Sequence, residues 1–123
     1  MGIRVFHCDD SAAFTRLVAF WLAEHDDMEH VGEAHTADAA LAALPAARPD
    51  VVLLDTLGRP GDDTLLLSIR AAAPQAKVIV YSGYVRMLRG ATLGHTADGY
   101  VEKGDEEGPL LDAIRAVVKP EIN

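Results

Sequence analysis

The chain has 123 residues, half of them hydrophobic and 24% charged, the composition of one globular domain rather than of a disordered or fibrous chain. Eleven Lys and Arg stand against nineteen Asp and Glu, a formal charge of −8, so nucleic acid and anionic membrane find no basic footprint to bind. No apolar run is long enough to span a bilayer, no signal-peptide pattern opens the chain, and the one cysteine, Cys8, excludes an internal disulfide or a CxxC motif; the expected setting is the cytoplasm.

Ile3-Arg4-Val5-Phe6-His7-Cys8 reads as a strand that stops at Asp9-Asp10. Ser11 is the expected N-cap of a helix reaching about Glu24, with Phe14, Leu17, Val18, Trp21 and Leu22 at spacings of three and four along one apolar stripe. Residues 28–34 read as a second strand. Thr36 caps a second helix over about 37–43, which is expected to end before Pro45 because an interior proline removes a donor and clashes with the preceding turn. Val51-Val52-Leu53-Leu54 is a continuous apolar run, the mark of a strand covered on both faces, and it ends at Asp55.

A Gly/Pro loop follows over 56–61, then a helix over about 62–72 closed by Pro74. Val78-Ile79-Val80-Tyr81 reads as a fourth strand, ending at Ser82-Gly83. The stretch 84–96 carries Gly90 and Gly94 and is expected to form a short, weak helix, since each interior glycine costs about 1 kcal/mol. Gly99-Tyr100-Val101-Glu102 is a short fifth strand ending at Lys103. A final amphipathic helix over about 106–118 carries Leu110, Leu111, Ile114, Val117 and Val118. Strands alternating with helices predict an α/β fold, a parallel sheet covered on both faces. The whole of 1–123 is read as a single domain, core about 3–118, with a short tail over 119–123.

In an open parallel α/β sheet, ligands sit beyond the carboxyl ends of the strands. The first strand delivers Asp9 and Asp10 there, the third Asp55, the fourth Ser82 and the fifth Lys103. Like charges about 4 Å apart repel by roughly 1–4 kcal/mol, so such a cluster needs a proton, a lysine or a metal to offset it. Oxygen-only donors on an open rim suit Mg²⁺. An aspartate beside that ion and a lysine is a credible nucleophile for a phosphoryl group, with the serine hydroxyl bonding one of its oxygens. Cys8, inside the strand, reads as a small buried hydrophobe and Trp21 as core. The five histidines show no zinc spacing and read as surface or packing residues.

Four pieces, Cys8-Asp9-Asp10-Ser11, Val51-Val52-Leu53-Leu54-Asp55, Val80-Tyr81-Ser82-Gly83 and Ala97-Asp98-Gly99-Tyr100-Val101-Glu102-Lys103, occur in this order over almost the whole chain. Together they resemble the receiver domain of two-component response regulators. Val31-Gly32-Glu33-Ala34 and Ala97-Asp98-Gly99-Tyr100 lean toward the NarL/FixJ type. The resemblance implies a flavodoxin-like (βα)5 sandwich with strand order 2-1-3-4-5. It implies that Asp55 accepts a phosphoryl group from a sensor histidine kinase or phosphotransfer protein. It further implies that Asp10 and Asp55 bind Mg²⁺ directly, Asp9 through water, and Leu57 through its backbone carbonyl. Lys103 would pair with Asp55 and then with the phosphate. Ser82 and Tyr100 would act as the switch that repacks a surface read by a downstream output protein or domain.

The same resemblance implies a switch rather than a turnover enzyme; the acidic charge argues against direct contact with nucleic acid or membrane, and a homodimer stays open. Five positions bear on how closely the chain follows the family pattern. Arg59 and Pro60 replace its usual loop after the acceptor, Gly104 follows the lysine where proline is common, and Leu57 and Tyr84 flank the hydrolytic route, where they predict slow loss of the phosphoryl group. The alternatives are a non-phosphorylated pseudo-receiver acting as an interaction module, and a haloacid-dehalogenase-type phosphatase. The latter wants a second aspartate where Leu57 stands. The chain is read as a stand-alone receiver.

Overall fold

The computed structural model describes residues 2–55, 64–83 and 97–119. Within them the elements are β1 (Ile3–Cys8), α1 (Ala12–Ala23), β2 (Met28–Ala34), α2 (Ala37–Ala47), β3 (Val51–Leu54), α3 (Thr64–Ala72), β4 (Lys77–Ser82), β5 (Gly99–Glu102) and α4 (Gly108–Val118). The loop at 56–61, the first residues expected for the third helix, the weak helix expected at 84–96 and the tail beyond 119 lie outside the described residues.

All five strands run parallel in one sheet of order β2-β1-β3-β4-β5, as the flavodoxin-like expectation requires. Period-two alternation divides the core between the two faces. Phe6, Cys8, Val52, Leu54, Val78 and Val80 pack with α2 and α3. Val5, Val51, Leu53, Ile79, Tyr81 and Val101 pack with Val18, Trp21 and Leu22 of α1 and Leu110, Leu111 and Ile114 of α4. This two-sided burial is why β3 reads as an unbroken apolar run. Between Val5 and Phe6 the β1–β2 register shifts by a residue, so that Phe6 lies opposite Gly32. A Cβ on Gly32 would stand 3.0 Å from the Phe6 ring, so glycine is what lets the ring pass under the edge strand.

The helix starts follow their caps. Ser11 Oγ accepts from Phe14 N at 3.1 Å and Thr36 Oγ1 from Ala39 N at 3.1 Å. The end of α2 corrects the expectation, for the helix passes through Pro45 to Ala47. Proline falls in the last turn, where it deletes a single intrahelical hydrogen bond, and Leu44 beside it is 1% exposed in the core. Arg48, in the left-handed region with φ 49°, ends the helix, its N–H donating to the Leu44 carbonyl at 3.2 Å. The last helix also starts later than expected, at Gly108, with Pro109 in its first turn, where a missing N–H leaves no bond unmade.

The buried polar groups carry a stability prediction. Tyr81 is 1% exposed, and its hydroxyl has no hydrogen-bond partner among the described residues. Burial, followed by the nearby Asp9 charge, pushes its pKa up to about 12, so the phenol stays protonated. An unpartnered buried hydroxyl carries its desolvation penalty without return. Tyr81→Phe keeps the ring and is expected to stabilise the fold by about 1 kcal/mol, read as a higher denaturant midpoint at unchanged slope. A lower midpoint would show that the hydroxyl has a partner after all.

Candidate functional site

The acidic residues are placed by the parallel ladder running one step past each strand. Asp9 N donates to the Ala34 carbonyl at 3.0 Å, Asp55 N to the Cys8 carbonyl at 2.9 Å, and Lys103 N to the Ser82 carbonyl at 3.1 Å. Asp9, Asp55 and Lys103 therefore begin where the sheet has fixed the backbone. Asp9, Asp10 and Asp55 each bring a carboxylate oxygen within 4.8 Å of the other two, with Asp9 and Asp55 buried and Asp10 exposed. Lys103 reaches them from β5. Its Nζ lies 2.7 Å from Asp9 Oδ2 and 3.3 Å from Asp55 Oδ1.

The lysine expected to pair with Asp55 thus stands closer to Asp9. Asp9 Oδ1 accepts from Ser11 N at 2.9 Å, so both Asp9 oxygens face protein donors. Burial works to raise the Asp9 pKa. The close approach of His7 and Lys103 and the hydrogen bond from Ser11 N outweigh it and bring the carboxyl down to about 2, so Asp9 is charged at neutral pH. Cys8 runs the other way. Burial first, then the three carboxylates, pushes its thiol up to about 12, which leaves it protonated and inert, the packing residue the sequence suggested.

Ser82 closes β4 at this same sheet end and is fully buried. Tyr100 is half-buried on β5, packs against the core on the α2 and α3 side, and its hydroxyl accepts from Ala97 N at 3.3 Å. Leu57, Arg59, Pro60 and Tyr84 lie outside the described residues. Two neighbours escaped the sequence reading. His7 is fully buried, with Nε2 3.5 Å from Asp9 Oδ2, and Phe14 lies under the Lys103 ammonium, 4.6 Å from its ring centre. Strand parity held the signal for His7, since it shares the inward face of Val5 and points the same way as Asp9. Phe14 had none beyond its place on the helix stripe.

Three carboxylates against one ammonium leave the cluster net negative, and its donors are hard oxygens. That set fits a small divalent cation of the Mg²⁺ type and suits neither zinc nor a soft metal. Among the described residues no helix is long and apolar enough to cross a membrane.

Comparison with known proteins agrees with this fold. A protein-glutamate methylesterase/protein-glutamine glutaminase from a Nocardioides species is 33% identical over 98% of the chain and 35% of its own length. The response regulator protein VraR of Staphylococcus aureus is 26% identical over 99% of the chain and 62% of its own length. The chain spans about a third of the methylesterase and under two thirds of VraR. Among solved structures, the signal receiver domain of the response regulator NarL from Mycobacterium tuberculosis superposes with a TM-score of 0.79 at 25% identity, covering 94% of each chain. The response regulator domain of Thermotoga maritima CheB superposes with a TM-score of 0.79 at 24% identity, over 98% of this chain and all of that one. The family model of the response regulator receiver domain matches residues 5–115. This chain belongs to that family, and is a receiver domain of two-component response regulators.

Proposed function

We propose that Asp55 is the phosphoryl acceptor of this receiver and that Lys103 and Ser82 serve its chemistry. The observation that carries the reading is the meeting of three carboxylates with the Lys103 ammonium at the strand ends. An Asp55 carboxylate oxygen attacks the phosphorus of a phosphohistidine. The P–N bond breaks, and the imidazole leaves with the electron pair and takes up a proton. Lys103 faces the charge that builds on the phosphoryl oxygens, and the Ser82 hydroxyl donates to one of them. Asp10 and Asp55 would hold Mg²⁺ directly, with the Leu57 carbonyl as a further ligand and Asp9 acting through water. Bound there, the ion would supply positive charge to the transferring group. The engagement of both Asp9 oxygens by protein donors supports its water-mediated role.

Phosphorylation adds about two negative charges in place of one. Ser82 and Tyr100 are the residues that would carry this change to the surface, repacking the core that Tyr100 already borders. The phosphodonor is a sensor histidine kinase or phosphotransfer protein, and the reader a downstream output protein or domain. RcsB of Salmonella enterica, a structural neighbour, is described bound to a promoter. In this chain the charge of −8 leaves any nucleic-acid contact to another domain or partner. The chain acts as a cytoplasmic switch that phosphorylates itself from the donor rather than as a turnover enzyme, with a homodimer open to it.

Incubation with acetyl phosphate and Mg²⁺ is expected to add one phosphoryl group by intact mass, and Asp55→Asn is expected to abolish the gain. The absence of any gain in the unaltered chain, with this donor and with phosphoramidate, would overturn the reading.

A further inference from the structure

The Lys103 ammonium has a third neighbour besides the two carboxylates. It lies over the face of Phe14, 4.6 Å from the ring centre, while touching Asp9 and Asp55 at 2.7 and 3.3 Å. Phe14 belongs to the first turn of α1, and its own N–H donates to the Ser11 cap at 3.1 Å, which fixes its backbone. Its ring tilts by 60° against Tyr81 at a centroid distance of 5.4 Å, and Tyr81 is 1% exposed beneath it. The ring is therefore braced by the core on one side and offers its electron-rich face to the ammonium on the other. A lysine stem has four flexible carbons and a strongly hydrated head. Here the side chain is one-fifth exposed, so it is not fully enclosed by the cluster.

We propose that Phe14 is a positioning residue that holds the Lys103 ammonium over the Asp9 side of the carboxylate cluster, ready for the acceptor. Phe14 touches no reacting atom and acts through Lys103. Without its face, the ammonium keeps its charge but spends less time between Asp9 and Asp55, because solvent competes for it. The kinetic part of this inference rests on Asp55 being the acceptor; the placement of Lys103 does not.

Phe14→Leu keeps apolar bulk and removes the ring face, whereas Phe14→Tyr keeps both. With acetyl phosphate and Mg²⁺, Phe14→Leu is expected to lower the limiting labelling rate about three- to tenfold without moving the half-saturating donor concentration. Phe14→Tyr should stay within about twofold. By NMR, the Lys103 ε-methylene protons are expected to be shifted upfield by the ring in the unaltered chain and in Phe14→Tyr, and to lose that shift in Phe14→Leu. Should the leucine variant not fold by thermal melt, Phe14→Met replaces it. An unaltered labelling rate in the leucine variant, or unshifted Lys103 protons in the unaltered chain, overturns the proposal. If the unaltered chain takes no phosphoryl group at all, the acceptor reading fails and the NMR comparison alone decides the role of Phe14.

Discussion

Replacing Leu53 by alanine is expected to destabilise the fold by about 2–5 kcal/mol. Leu53 is fully buried on β3, the middle strand of the sheet, and faces the helix layer of α1 and α4. Truncation there loses the transfer free energy of the side chain and leaves a cavity that strands on both sides prevent from collapsing. Domains of this size have about 5–15 kcal/mol in hand, so the variant sits near the threshold of unfolding. Leu67→Ala is the matching control. Leu67 is 52% exposed on α3, and its loss should shift stability by about 0.5 kcal/mol or less. Denaturant unfolding at fixed slope checks both, and equal effects at the two sites would contradict the layered core. Leu53 also precedes Asp55 by two residues, so partial loosening of β3 should be felt at the acceptor before the whole domain melts.

Lys103→Ala is expected to have the largest effect on the site. The ammonium is the cation that touches both buried carboxylates, 2.7 Å from Asp9 and 3.3 Å from Asp55. Its removal leaves three like charges within 4.8 Å of one another. Two opposite results follow from that one change. Mg²⁺ binding should tighten, because a competing positive charge has gone. Labelling by acetyl phosphate should fall at least about tenfold, because the ammonium no longer offsets the charge building on the transferring group. Lys103→Arg is not expected to restore the rate, since a planar fork does not occupy the space of a compact ammonium. Fluorescence titration with Mg²⁺ and mass-resolved labelling separate the two results; weaker Mg²⁺ binding in the alanine variant would refute the electrostatic account.

The same variant should change the acid limb of stability. The Asp9 pKa lies below its unfolded value near 3.8, at about 2. A depressed carboxyl contributes stability that is present above pH 3.8 and is lost as the pH falls through about 2. That contribution is of the order of 2 kcal/mol. Without Lys103, burial of Asp9 is less well opposed, its pKa rises, and acid unfolding begins at higher pH.

The strand order came with the resemblance to receiver domains, whereas the parallel sheet, the two-faced core and the gathering of Asp9, Asp10, Asp55, Ser82 and Lys103 at one sheet end were legible in the residues themselves. These last depend on apolar runs, on parallel connectivity and on residues standing just past strand ends, and each of these is written locally. The continuation of α2 through Pro45 was not legible. Proline's local penalty is visible in sequence, but the burial of Leu44 that outweighs it is a tertiary fact. The late start of α4 was missed because Pro109 fixes the first turn more strongly than the acidic residues before it. The preference of Lys103 for Asp9 over Asp55, the burial of His7 and the ring of Phe14 beneath the ammonium depend on side-chain directions across separate elements, which spacing along one chain does not encode.

The sheet's two outermost strands bear on how the molecule behaves in a crowded solution. An unpaired strand border is a template on which another chain can add itself and begin a fibril. One border here is β2, which sets Glu29 and Glu33 along its length, breaks its flatness with the register shift beside Gly32, and so repels a copy of itself. The other, β5, is only four residues long and ends in Glu102. Charge on one flank and brevity on the other guard the apolar centre of the sheet against recruiting strands from its neighbours.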